Sequence, residues 1–427
     1  MGTVRGMTTA PAAARSVDVE AVQRRSVATL STTAVLGGVA VAGAIPAGAL
    51  IAASLAGEEV AGLAQTMGVV GAAVMALPLA RTALSRGRRS ALSLGYGVGA
   101  VGAVIVVIAG ATRSLPLVFL GCLLVGVASA SSLQARYAAT DLATEEKRAR
   151  ALSYVVWAGT VGAVLGPNLL EVSGRAAVSL GLPQLTGPYL LSAVLLGLAV
   201  LVMLARLRPD PYLLSRQLAE EASGTALARP SLRDGIEHLK RHRRAVLGVA
   251  SVSLGHVVMV MVMVMTPVHM RHVDVSLQLI GLVISVHVLG MYALAPVVGL
   301  LVDRFGRVPM ILVGAAVLLL ACVVSGLAPA DNVPMLAVGL FLLGLGWSCT
   351  LIAGSTLVSD DVDETERPAV QGLSDLTMNV AAAVGGAAAG FIVAGWSYAV
   401  LCAFAVIPVA ALVILAALPS MRRRSAA

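Results

Sequence analysis

Residues 256–270 read HVVMVMVMVMTPVHM and hold five of the fifteen methionines and two of the six histidines of the chain. Valine would fill a buried helix equally well, so this concentration of thioether asks for a chemical reason. On a helical wheel of about 100° per residue, His256, Met259, Met263 and, past Pro267, Met270 share one arc, while Met261 and Met265 point the other way, to lipid or a neighbouring helix. A second pair follows at His287 and Met291, four residues apart and therefore stacked on one helix face. Thioether and imidazole are soft or borderline ligands that suit Cu(I) and hold Mg²⁺ or Ca²⁺ poorly. Several weak, exchangeable ligands would let an ion both enter and leave a site. The expectation is that Met259, Met263, His287 and Met291, with His256 beside them, meet in one cavity between two adjoining antiparallel helices. The alternatives are an apolar pocket for organic cargo, which these side chains merely line, or plain packing by a flexible gap filler. His269 and Met270, with His272 and Asp274, form either a first capture point or a solvated loop.

The elements that must carry these residues are membrane helices. The chain of 427 residues is 58% hydrophobic and only 12% charged, with a mean hydropathy of +0.92, which excludes an ordinary soluble domain. A membrane-spanning helix needs about 20 mostly apolar residues. Twelve such runs occur, at roughly 29–52, 60–83, 91–111, 115–138, 151–171, 186–207, 245–267, 277–302, 309–329, 334–358, 369–395 and 397–420. Glycine is abundant, at 44 residues, and small residues let helices approach closely in lipid. With the N-terminus taken as cytoplasmic, only Arg113, Arg175 and Arg271 of the 30 Lys and Arg fall outside, a strong positive-inside bias that puts both termini in the cytoplasm. The net charge of +8 is thereby accounted for by topology, and no nucleic-acid partner is called for.

The remaining segments are polar. Residues 1–25 read as a disordered cytoplasmic N-terminus and not as a cleaved signal, because the first apolar run is of full spanning length. Residues 26–207 form one six-helix half, 208–244 a cytoplasmic linker, 245–420 a second half and 421–427 a basic tail. Within the linker, Leu232, Ile236 and Leu239 recur at helical spacing, as in a helix lying on the membrane surface or a solvated linker. Cys122, Cys322, Cys349 and Cys402 all lie in apolar runs without a CxxC pair, so they read as small core filler. No GxxxxGK[ST] loop is present, so any transport would draw on a gradient.

Charge at membrane depth is costly and usually functional. Asp375 lies about two turns into the eleventh run, beside Ser374 and Asn379. It could carry a proton, or pair with a basic residue from a loop. No acid stands centrally in the first four runs, where Gln65 and Gln134 are polar but uncharged.

An internal repeat divides the chain. In ALSRGRRSAL (83–92) and VDRFGRVPMI (302–311), Gly87 aligns with Gly306 and Arg88 with Arg307. In TDLATEEKRARAL (140–152) and SDDVDETERPAVQGL (359–373), Asp141 aligns with Asp360, Glu145 with Glu364 and Arg148 with Arg367, at the same offset. Such parallel six-helix repeats are the build of the major facilitator superfamily. The stretch GLLVDRFGRVPMIL (299–312) resembles the loop signature of that superfamily, G-x-L-x-D-R-x-G-R. Gly306 permits a tight turn, Asp303 can accept hydrogen bonds from a helix N-terminus of the other half, and Arg304 and Arg307 hold the loop on the cytoplasmic side. The resemblance implies a latch of the outward-facing state. In the first half Leu84 stands where the acid should be, so only one latch is intact. GAVLGPN (162–168) resembles the G-x-x-x-G-P element of antiporters in the superfamily, and reads equally as a close-packing face with a proline bend.

The pairs Met259–Met263 and His287–Met291 are similar to the M-x-x-x-M and H-x-x-x-M motifs on the seventh and eighth helices of CcoA-like copper importers. That resemblance implies an inner-membrane importer with copper as cargo and no cofactor. Relatives of the same broad group carry riboflavin, and drug export is a further reading. The expected fold is all-α, twelve transmembrane helices in two six-helix pseudo-repeats. The chain is expected to be a monomer in the lipid bilayer that handles a small molecule or ion and is not an enzyme.

Overall fold

A computed structural model describes residues 18–56, 60–224, 231–271, 273–275, 277–360, 362 and 366–418. The N-terminal residues 1–17, His272, Glu364 and the tail 421–427 lie outside the described residues. The helices are α1 (Val19–Ala56), α2 (Ala61–Thr112), α3 (Leu115–Ala138), α4 (Arg148–Asn168), α5 (Leu170–Ser179), α6 (Gly187–Arg206), α7 (Pro211–Ser223), α8 (Leu232–Arg241), α9 (Arg243–Arg271), α10 (Leu277–Tyr292), α11 (Ala295–Phe305), α12 (Arg307–Leu327), α13 (Val333–Asp360), α14 (Arg367–Gly395) and α15 (Tyr398–Ala417). Among the described residues eleven helices are long and apolar enough to cross a membrane. One of them, α2, is two spans joined end to end, because Gly87 turns the chain at φ 86°, ψ 171°. The result is the expected all-helical fold of twelve crossings.

Three departures from the sequence reading have simple causes. First, α1 begins at Val19, inside the segment expected to be disordered to residue 25, with Asp18 Oδ1 accepting from Ala21 N at 3.0 Å. Second, the eighth run is broken into α10 and α11. Pro296, in the first turn of α11, has no N–H to continue the ladder. Third, the linker is structured. Asp210 caps α7, accepting from Tyr212 N and Leu213 N, and a capping box of Ser231 and Asp234 opens α8. α8 packs on the start of α14: a Cβ on Gly235 would sit 2.8 Å from Ala369 Cβ, and His238 Nδ1 lies 2.8 Å from Glu366 Oε2. α8 therefore rests on protein, where the sequence suggested a membrane-surface helix or a solvated linker.

Within the first half α1 runs against α4 with backbone in direct contact. A Cβ on Gly162 would lie 2.5 Å from Gly38 Cα, and one on Gly166 would lie 2.7 Å from Gly43 N. The GAVLGPN segment thus works as a packing face. The two halves meet along α2 with α14, α4 with α10, α11 and α13, and α3 with α14.

Candidate functional site: a cavity between the halves, closed at one end

The end of the bundle that carries the Arg-rich connections is sealed by contacts across the repeat. Asp303, near the C-terminus of α11, accepts from Ala149 N at 3.2 Å and from Arg150 N at 3.1 Å. Its carboxylate thus caps α4 of the other half, where the helix dipole favours an anion. Gly306 takes φ 93° at the turn, a conformation that a Cβ would strain. Arg304 lies over the ring of Phe305, 5.4 Å from its centroid. Arg307 reaches Asp360 at 2.5 Å and the carbonyl of Glu145 at 2.6 Å, and Arg148 bonds the same Asp360 at 2.8 Å.

The first half makes a different version of this joint. Arg88 pairs with Asp141 at 2.8 Å, fully buried, and also donates to Gln371 of α14. Leu84, at the position of the missing acid, packs with Tyr212 and with Ala369 in the first turn of α14. An apolar contact thus occupies the place symmetric to the Asp303 latch. Asp210 supplies an anion nearby, accepting from Arg89 N at 2.7 Å beside Gly87.

One layer further in lies the ion pair that sequence reasoning only half found. Asp375 Oδ1 accepts from Arg136 Nη2 at 2.7 Å, and both side chains are at most 2% exposed. The partner of Asp375 is therefore not a loop residue: Arg136 lies inside α3, two residues after Gln134. Arg136 Nε also donates to Ser355 at 3.3 Å, and the guanidinium lies 4.5 Å from the Tyr137 ring centroid. Tyr137 in turn donates to Ser374 at 3.2 Å, and Asn379 Nδ2 to the carbonyl of Asp375 at 2.7 Å. Arg136 Nη1 and Asp375 Oδ2 are buried and have no hydrogen-bond partner among the described residues. Two unsatisfied polar atoms at one ion pair are unusual, because a buried charge normally exhausts its partners.

Above this pair opens a cavity of about 450 Å³ lined by both halves. Gly37, Gly38, Ser129, Ser132, Arg136 and Gly159 come from the first half, and His256, Tyr292, Trp347 and Leu351 from the second. Trp347 Nε1 donates to His256 Nδ1 at 2.9 Å, and Tyr292 meets Trp347 edge-on with centroids 5.7 Å apart. Neither Trp347 nor Tyr292 was singled out from the sequence, although each is one of few aromatics in a chain that is only 4% aromatic.

Of the sequence-selected residues, His256 reaches this cavity, and Met259, Met263, His287 and Met291 are not among its lining. The expected packing of the seventh span on the eighth is corrected: α10 packs chiefly on α13 and touches α9 only slightly. His287, 1% exposed, donates from Nδ1 to the carbonyl of Leu340 on α13 at 2.8 Å, and its Nε2 has no hydrogen-bond partner among the described residues. Met259 and Met291 are buried in the second-half core, and Met263 packs against it. Met261 packs beside Gly385 of α14. Met270 is fully buried and His269 stacks on Tyr398 at 4.3 Å, so these two contribute to packing at that end. Asn379 lines a second, smaller cavity of about 150 Å³ with Gln65. The four cysteines are free and buried.

Comparison with known proteins places this architecture. The Major Facilitator Superfamily profile matches the chain twice, at residues 27–276 and 250–427. The MFS-type transporter YdeG of Bacillus subtilis (strain 168) is 39% identical over 376 residues, covering 88% of this chain and 87% of that one. The riboflavin transporter RfnT of Brucella anthropi is 30% identical over 313 residues, 72% of this chain and 74% of its own. In three dimensions the chain is similar to FucP in the outward conformation, with a TM-score of 0.70 at 16% identity over 91% of this chain and 97% of that one. It is similarly close to the proton:xylose symporter XylE, at TM-score 0.68 and 14% identity over 91% and 94% of the two chains. A doubled six-helix unit, a cavity on the join and a family profile matching both halves have one conclusion: the chain is a multi-pass membrane transporter of the Major Facilitator Superfamily.

Proposed function

We propose that the protein is a gradient-driven carrier of a small organic solute in a bacterial inner membrane, with both termini in the cytoplasm. Its cargo would bind between Arg136 of the first half and His256 and Trp347 of the second. The observation that carries this reading is the cavity itself: both halves line it, and the Asp303 and Arg136–Asp375 contacts close one end. If the basic loops lie inside, the sealed end is cytoplasmic and this reading takes the conformation as outward-facing, so that rocking of the halves would expose the same residues to the cytoplasm. RfnT, whose name gives riboflavin as its cargo, adds support for an organic ring as the solute. The protein is proposed to work as a monomer, since each chain has its own complete cavity.

The test is alternating access. In a variant with the four cysteines replaced by Ser, Ser132→Cys in the cavity should react with an impermeant maleimide applied outside intact cells. Absence of reaction from outside in folded protein, with reaction from inside only, would reverse the assignment of sides. Absence of reaction from either side would remove the carrier reading.

A second reading, soft-metal cargo, keeps one favourable observation. Donation from Nδ1 leaves His287 a lone pair at Nε2, buried one helical turn from Met291. Radioactive copper uptake that survives both His287→Ala and Met263→Ala would end that reading.

A further inference from the structure

The donors around the cavity point to the chemistry of what enters it. An indole N–H can only donate, so His256 Nδ1 must be the acceptor and carries no hydrogen. The ring is then the neutral tautomer with its hydrogen on Nε2. Arg136 is one of the lining residues, and its Nη1 is buried and has no hydrogen-bond partner among the described residues. Ser129, Ser132 and Tyr292 add hydroxyls. Among the described residues the cavity lining holds no carboxylate, and Asp375 pairs with Arg136 without lining it. A wall rich in donors and holding one cation suits an acceptor-rich anion and disfavours a cation. Trp347, Tyr292 and His256 supply flat faces and edges for a ring.

We infer that the cargo is a small aromatic carboxylate, taken up together with one proton. This rests on the carrier reading above. The cargo carboxylate takes both ends of the guanidinium fork, accepting from the free Nη1 and from Nη2 in place of Asp375, so the Nη2–Oδ1 hydrogen bond breaks as the bidentate pair forms. Asp375 would then be a lone buried anion, an arrangement too costly to persist, and its carboxylate takes a proton delivered from the outside solution. One anion and one proton enter, and the charge of the site is unchanged. The titratable groups that face this exchange are Arg136 and Tyr137 of α3, Arg88 of α2, already held by Asp141, and His256 and Tyr292 across the cavity. None of them offers a second carboxylate to Arg136.

The full chain in detergent, with Trp157→Phe and Trp396→Phe, keeps Trp347 as its single tryptophan, which is excited selectively over the tyrosines. Titration with benzoate and nicotinate, against their neutral amides benzamide and nicotinamide, reads binding by quenching. At least one acid should bind at least tenfold tighter than its amide, with uptake of about one proton per anion in weak buffer. Arg136→Lys should weaken the acid at least tenfold. Asp375→Asn should still bind it but take up no proton. Equal binding of acid and amide, or no binding of either acid, overturns the inference. So does proton uptake that persists in Asp375→Asn. If Arg136→Lys fails to fold, the acid–amide contrast and Asp375→Asn still decide. Riboflavin binding indifferent to Arg136, with Ser132→Cys labelled from outside, would overturn this inference and leave the carrier reading standing.

Discussion

Thr140 Oγ1 donates to Ser359 Oγ at 3.2 Å, and the two residues are 219 positions apart. Arg136 and Ser355, also in hydrogen-bond contact, have the same separation. That number is the offset of the internal repeat, so each pair consists of equivalent residues of the two halves. Equivalent residues can touch only beside the pseudo-twofold axis, which therefore passes between α3 and α13. Motion of one half against the other must break or slide these contacts.

Cysteines at 140 and 359, in a background without the four native cysteines, should join on oxidation. Solute exchange in proteoliposomes is expected to stop on oxidation and return on reduction. Undiminished exchange by fully cross-linked protein would show that the halves do not separate at this layer.

The Arg136–Asp375 pair should behave as a unit. Removing one partner leaves an uncompensated buried charge, which costs about 3–5 kcal/mol, whereas replacing both by apolar residues is often neutral. Arg136→Met or Asp375→Leu alone should therefore melt well below the parent in detergent, and the double variant should recover most of the loss. An additive double variant would argue against direct coupling.

Asp303→Asn keeps one carbonyl oxygen for Ala149 or Arg150 but removes the charge at the α4 N-terminus. A carboxylate there is worth about 0.3–1 kcal/mol, hence roughly a twofold to fivefold shift in the ratio of the two states. Maleimide labelling of Ser132→Cys from outside should slow by up to that factor, and an unchanged rate would mean that Asp303 does not bias the two states.

Restoring the acid of the first-half loop should harm the protein. The N–H groups of Ala369 and Val370 already donate to Glu366, and Pro368 has none. Leu84→Asp would thus bury a carboxylate where the N–H groups of Ala369 and Val370 are already taken, in place of an apolar contact with Tyr212, at a cost of about 1–3 kcal/mol. A lowered melting temperature is expected, and a raised one would show that this joint accepts a charged latch.

Gly162→Ala should separate α4 from α1, because the new Cβ meets Gly38 backbone and no flexible side chain can yield. Overpacking of this kind costs about 1–3 kcal/mol. Reduced melting temperature and yield are the expected readings, while a neutral effect would mean the helices can part freely.

Much of the architecture was legible in the chain because lipid permits few solutions. Runs of spanning length had to be helices, the excess of Lys and Arg had to mark one side, and the 219-residue offset had to reflect a doubled unit. The Asp303 signature announced a turn and an anion at a helix end because both needs are local. Asp375 was visible as a charge out of place. Its partner was not, because Arg136 at the end of an apolar run looks the same whether its side chain snorkels to water or turns inward. Only the packing of α3 on α14 turns it inward. The thioether run shows the same division. Helical periodicity proposed a grouping of residues on one helix, but which neighbour each face meets is a matter of how helices are arranged in the bundle. α10 turns His287 to the backbone of α13, while Trp347 of α13 meets His256 of α9 at the cavity. Local sequence determined the helices, their turns and their polar exceptions. The tertiary structure alone decided which of those exceptions share a site, since that depends on contacts between segments a hundred and more residues apart.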